Sequence, residues 1–158
     1  MAAFWKILVK YRMLFIGGVK ITLIVSVLTI ILGTFFGILM AFMKMSKIKP
    51  LRWFANAYVE FIRGTPVLVQ ISLVFYGLPM MGINIPSIMV GGTDISRLAA
   101  GIIALTINTT AYICEIVRGG ILSVDRGQTE AALALGMGNV RTLICIVLPQ
   151  AMKNILPS

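Results

Sequence analysis

The sequence predicts an all-α membrane protein. Of 158 residues, 59 % are hydrophobic and 12 % charged, at a mean hydropathy of +0.99. A soluble domain carries about 25 % charged residues. Residues 21–43 hold no charge at all. The 14 Lys and Arg, set against 5 Asp and Glu, sit in short clusters between apolar runs. That is how a membrane chain displays its cytoplasmic loops. A net charge of +9 also fits nucleic acid, but clustering between apolar runs favours membrane orientation, and no nucleic-acid partner is expected.

From the amino terminus, residues 1–20 carry Trp5, Lys6, Lys10, Tyr11, Arg12 and Lys20 among apolar neighbours and read as an interfacial segment, rings at headgroup depth and cations in water. The run 21–43 is the first span: about 23 residues at 1.5 Å each reach roughly 35 Å. It is too long for the apolar region of a cleavable leader and lacks an A-x-A-like site. Gly33, Gly37 and Ala41 fall every four residues, either a seam for close helix approach or a chance run of small residues.

Lys44, Lys47, Lys49 and Arg52 then mark a cytoplasmic loop, with Pro50 as a breaker, although the amino-terminal cations argue the other way. Later loops decide the matter. If the first and third spans run outside to inside, Arg118, Arg126, Arg141 and Lys153 join the lysine cluster and only Arg97 stays outside. The second span is placed at 53–79, with Pro66 kinking it. Residues 80–97, rich in Gly, Pro, Asn and Ser, form an external loop.

The third span covers 98–117 and is uncharged as far as Cys114. Its Thr106, Asn108, Thr109 and Thr110 must face other helices or a cavity, since lipid offers them no partner. Residues 126–149 are neither apolar enough to span nor polar enough to be a tail. They read as a helix from Gln128 to Leu135, a stop at Gly136 and Gly138, an Asn139 N-cap and a second helix closed by Pro149. In that second helix Val140, Leu143, Ile144 and Val147 form a narrow apolar stripe.

Catalysis is not expected. His is absent, there is no phosphate-cradling G-x-x-x-x-G-K-[ST] loop and no paired-carboxylate cluster, and Ser26, Ser46 and Ser72 have no base beside them. Cys114 and Cys145 show no metal or redox spacing and act as small hydrophobes, so no metal or cofactor is expected. Glu60 with Arg63, and Glu115 with Arg118, stand at i, i+3 and can each share a helix face. Local pairing is the plain reading; an inner gate whose pairs exchange partners is the sharper one. Gln70, Asn108, Thr109 and Thr110 are candidates for contact with a zwitterionic substrate, and helix–helix hydrogen bonding is the alternative.

Glu130-Ala131-Ala132, Gly136, Ile146 and Leu148-Pro149 fit, without gaps, the signature E-A-A, three residues, G, nine residues, I-x-L-P. This resembles the cytoplasmic loop of permease subunits in binding-protein-dependent ABC importers. Phe61 to Pro66 with Gln70, Ala111-Tyr112 with Glu115, Arg118-Gly119-Gly120 and Gly127-Gln128, and the stretch Gly18 to Leu23 look like the branch carrying histidine, glutamate, glutamine, arginine and opines.

The resemblance implies a type I importer permease fold and amino-acid uptake. It also implies two ATP-binding subunits, an extracytoplasmic amino-acid-binding protein, a second permease copy or homologue, and a bacterial inner-membrane location. The 126–149 region would be the coupling-helix pair that docks on the ATPase, with ATP hydrolysed by that partner. Ala131 and Ala132 would permit close approach and Gly136 a sharp turn. Glu130 would cap free backbone N–H groups, pair with a cation on the ATPase, or both. The family usually has five spans; the three expected here make the chain read as a fragment or a truncated product. Two other classes stay open: a stand-alone channel or secondary transporter with 126–149 as a surface helix, and a membrane subunit that recruits a partner without transporting.

Overall fold

Helix α1 (Arg12–Met45) is followed by α2 (Lys49–Arg63) and α3 (Val67–Met80). A two-residue hairpin, β1 (Met89–Val90) with β2 (Thr93–Asp94), lies in the stretch expected to be an irregular loop. Then come α4 (Ser96–Leu122), α5 (Arg126–Ala134) and α6 (139–155). This is a computed structural model, and it describes residues 9–83, 89–90, 93–94 and 96–156. Trp5 and Lys6 of the expected interfacial segment lie outside the described residues. From Arg12 onward that segment is continuous with the first span, in one helix of 34 residues.

Small residues decide how α1 and α4 meet. Thr29, Gly33, Gly37, Met40 and Ala41 are the buried positions of α1. A Cβ on Gly33 would stand 2.6 Å from Thr109 Cγ2, and one on Gly37 2.6 Å from Ile113 Cβ, so only glycine lets the two backbones come this close. The four-residue spacing is a packing seam. Ala55, Val59 and Ile62 of α2 complete the core against Met40, Ala41, Ala111 and Cys114.

The expected single span at 53–79 is instead two short helices. Among the described residues two helices are long and apolar enough to cross a membrane, and a third crossing requires α2 and α3 to count as one. These two meet at 103°. At 15 residues α2 reaches only about 22 Å, against a hydrocarbon core of about 30 Å. Pro66 has no N–H and disfavours helical backbone at Thr65, which places the break.

Pro79 and Pro149 sit inside helices. Leu73–Gly77 before Leu78-Pro79 and Leu143–Val147 before Leu148-Pro149 are single π turns, closed by Leu78 N–H on Leu73 O and by Leu148 N–H on Leu143 O. A proline ring crowds the carbonyl four residues back, and the wider turn accommodates it. The expectation that Pro149 closes the second coupling helix is therefore corrected: the helix runs on to Ile155.

Candidate functional site

Three helices converge on one carboxylate. Glu115 of α4 pairs with Lys44 in the last turn of α1, with Arg118 one turn on at 3.4 Å, and with Arg63 at the end of α2 at 3.9 Å. The Lys44 and Glu115 side chains are mostly buried, whereas Arg63 is about half exposed. The Arg63 guanidinium also lies over the Tyr112 ring, 5.5 Å from its centre. The Glu115–Arg118 pair forms as the spacing predicts. The Glu60–Arg63 pair does not: Glu60 is exposed and in no ion pair among the described residues. Arg63 turns instead to the partly desolvated carboxylate, where attraction is less screened than at the surface. By position in the sequence Lys44 is only a loop cation. Its one distinguishing signal is that it continues the helical face of Gly33, Gly37 and Ala41.

Gln70 and Asn108 meet, at the bend. The buried Gln70 amide donates to Ile62 O at 2.6 Å, Thr65 O at 3.1 Å and Thr65 Oγ1 at 2.8 Å, while its oxygen accepts from Asn108 Nδ2 at 3.0 Å. These groups satisfy carbonyls that the chain break leaves free. Tyr58 adds a bond from its hydroxyl to Ile107 O at 2.8 Å. Thr109 packs on Gly33, and Thr110 is buried. In this structure the four polar candidates serve helix contacts.

Downstream of α4, α5 and α6 form an exposed pair. Asp125 is the N-cap of α5, its carboxylate accepting from Gly127 N–H at 2.6 Å. The expectation that Glu130 caps a helix start is corrected: Glu130 is the fifth residue of α5 and points to the exposed side. The cap before α6 is Gly138, with Asn139 already inside the helix. Between the helices Gly136 takes φ +81, with Gly136 N–H on Leu133 O at 2.9 Å and Met137 N–H on Ala132 O at 3.1 Å. This is the Schellman arrangement, and it requires a residue that accepts positive φ.

The Ala pair divides, Ala132 buried and Ala131 exposed. The apolar stripe divides as well: Val147 is buried and Leu143 half-buried, whereas Val140 and Ile144 lie open at 71 % and 55 % exposure, as does Leu135 at the end of α5 at 85 %. Ile146 and Leu148 are half-buried and Pro149 is exposed. Gly120 seats α6 on α4, since a Cβ there would collide with the Ile155 side chain.

Two apolar helices sealed by a glycine seam, a sharply bent pair beside them and an exposed helix–glycine–helix at one end define a multi-helix membrane protein. Residues 33–158 match the family described as binding-protein-dependent transport system inner membrane component, and the chain belongs to that family. It is 40 % identical over 154 residues to a putative glutamine transport system permease protein of Rickettsia felis, covering 96 % of this chain and 66 % of that protein. It is 38 % identical over 141 residues to the arginine transport system permease protein of Bacillus subtilis, covering 89 % and 60 %. A crystal structure described as an amino acid ABC transporter with histidines superposes with a TM-score of 0.82 at 46 % identity, covering 95 % of this chain and 65 % of that one. The chain thus spans a little under two thirds of the length of these relatives.

Proposed function

We propose that this chain forms part of the translocation pathway of an ATP-driven, binding-protein-dependent amino-acid importer and couples to its ATPase through 126–149. Its partners in this reading are two ATP-binding subunits, an extracytoplasmic amino-acid-binding protein and a second permease copy or homologue. Family membership supports the class, and the glutamine and arginine permeases among its relatives support the substrate class. The observation that carries the coupling role is the locally closed α5–α6 pair, which holds Glu130, Leu135, Val140 and Ile144 outward for a partner. The Glu130 carboxylate, freed from capping, is available to a cation of the ATPase.

Glu60, Arg63, Glu115 and Arg118 act as the inner gate, with Lys44 as an added member. Glu60 lies one turn from Arg63 and can receive it when Glu115 moves away. Gln70, Asn108 and Thr109 border the pathway.

Co-purification tests the coupling role. The chain brings down an ATP-hydrolysing subunit, and Glu130→Lys or Gly136→Trp releases it with helix content unchanged. Amino-acid uptake that persists without any ATPase would overturn the proposal in favour of a stand-alone transporter. For the gate, Arg118→Glu abolishes uptake and the added Glu60→Arg restores part of it; no rescue removes the support for partner exchange.

A further inference from the structure

Helix α2 has three faces rather than two. At about 100° per residue, Ala55, Val59 and Ile62 share one stripe, and these are its buried residues. Lys49, Arg52, Asn56 and Arg63 share a second, polar stripe along one flank. Phe54 and Phe61 lie on the other flank, and Trp53 stands between the two beside the exposed Glu60; the three rings are 54 %, 64 % and 73 % exposed. A helix crossing the hydrocarbon core cannot carry an exposed polar stripe along its length, because lipid satisfies none of those groups. A helix lying in the interface can, with rings at acyl–headgroup depth and cations among the headgroups.

The 103° bend to α3 and the 15-residue length of α2 fit that placement. Its buried residues pack on Met40, Ala41, Ala111 and Cys114, while Tyr58 reaches Ile107 and Arg63 reaches Glu115, so one face of α2 rests on α1 and α4 and leaves the other two faces uncovered. Lys47, just before α2, is exposed as well.

We infer that α2 is an in-plane interfacial helix whose Lys47, Lys49 and Arg52 bind the phosphates of anionic phospholipids while Trp53, Phe54 and Phe61 anchor in the bilayer. Three exposed cations beside an aromatic stripe match a negatively charged lipid surface, and this is the complementarity that selects lipid over a second protein. The inference requires membrane residence only, so it stands or falls separately from amino-acid uptake and ATPase coupling.

The test is fluorescence quenching of Trp53 in the Trp5→Phe chain, which leaves one tryptophan. The chain is reconstituted into vesicles of phosphatidylethanolamine and phosphatidylglycerol with bromine at defined acyl depths. Shallow bromines quench Trp53 most. Bromine on phosphatidylglycerol acts as though that lipid were enriched about fivefold around the helix, the equivalent of one cation contact. Lys49→Gln with Arg52→Gln removes the enrichment and leaves the depth unchanged, with circular dichroism confirming equal helix content. Strongest quenching by deep bromines would overturn the inference in favour of a spanning helix. Absence of quenching by any lipid would overturn it in favour of a protein covering the aromatic stripe. Equal quenching by both headgroups would overturn the anionic-lipid contact.

Discussion

The chain changes direction sharply at 64–66 and again at 135–138, and the two corners are built on opposite principles. At the first, no residue has positive φ: Gly64 is at φ −80, and the angle is held by side chains. Gln70 reaches back to the end of α2, and Asn108 fixes Gln70 from another helix. At the second, the turn is closed by backbone bonds around Gly136, which has open space about it. One corner belongs to the tertiary structure and the other to the local chain. A corner made by side chains can be reset by a neighbouring helix, whereas one made by backbone travels as a unit with its exposed surface intact.

Substitutions that move these corners separately are the way to break that contrast. The largest effect is expected for Gln70→Leu, which removes four hydrogen bonds from a buried site. A loss of about 3 kcal/mol is anticipated by reversible unfolding in detergent. It should also change the α2–α3 angle, read from distances between spin labels on 57 and 76. An unchanged distance would mean that Pro66 alone sets the angle. Gly136→Val comes next, at about 2 kcal/mol, since a branched residue is forced into left-handed backbone. Its effect stays in α5–α6, so the 57–76 distance is unaltered; a shift there would refute the local character of the second corner. Asn108→Ala should cost about 1 kcal/mol and loosen the first corner only. Asp125→Ala, which removes the cap of α5, should cost about 1 kcal/mol or less and lower helix content without disturbing Gln70, as circular dichroism and the same labels would show.

The contrast also explains which features are legible in the sequence. Gly136 announces its turn because only the backbone is involved. The seam at Gly33, Gly37 and Ala41 is legible for the same reason, since absence of a side chain is written directly in the sequence. Pro66 locates the first corner but carries no information about its angle, which depends on Asn108, 38 positions from its partner Gln70. So the sequence marks Gln70 as a pathway candidate but gives no sign that its amide also serves the carbonyls of this corner. Lys44 is hard to recognise as a member of the Glu115 cluster because loop cations are common beside spans, and only its phase with the glycine seam distinguishes it. The fold class needs only composition and one uncharged run. The N-cap at Asp125 is masked by Gly127, a poor helix former that makes α5 read as starting at Gln128, two residues late.

The two π turns have a further consequence. Each holds one residue more than an α turn, so each is equivalent to a single-residue insertion ahead of a Leu-Pro pair. Deleting one residue within 143–147 would convert that turn to ordinary α-helix and leave the helix beyond it in phase, because the extra residue is held within a single turn. Ile155 would stay on Gly120, while the proline ring would regain its clash with the carbonyl four residues back. The two five-residue windows thereby absorb a residue for the sake of the proline that follows, and a one-residue deletion there should be felt as a kink at the proline, not as a rotation of the downstream helix.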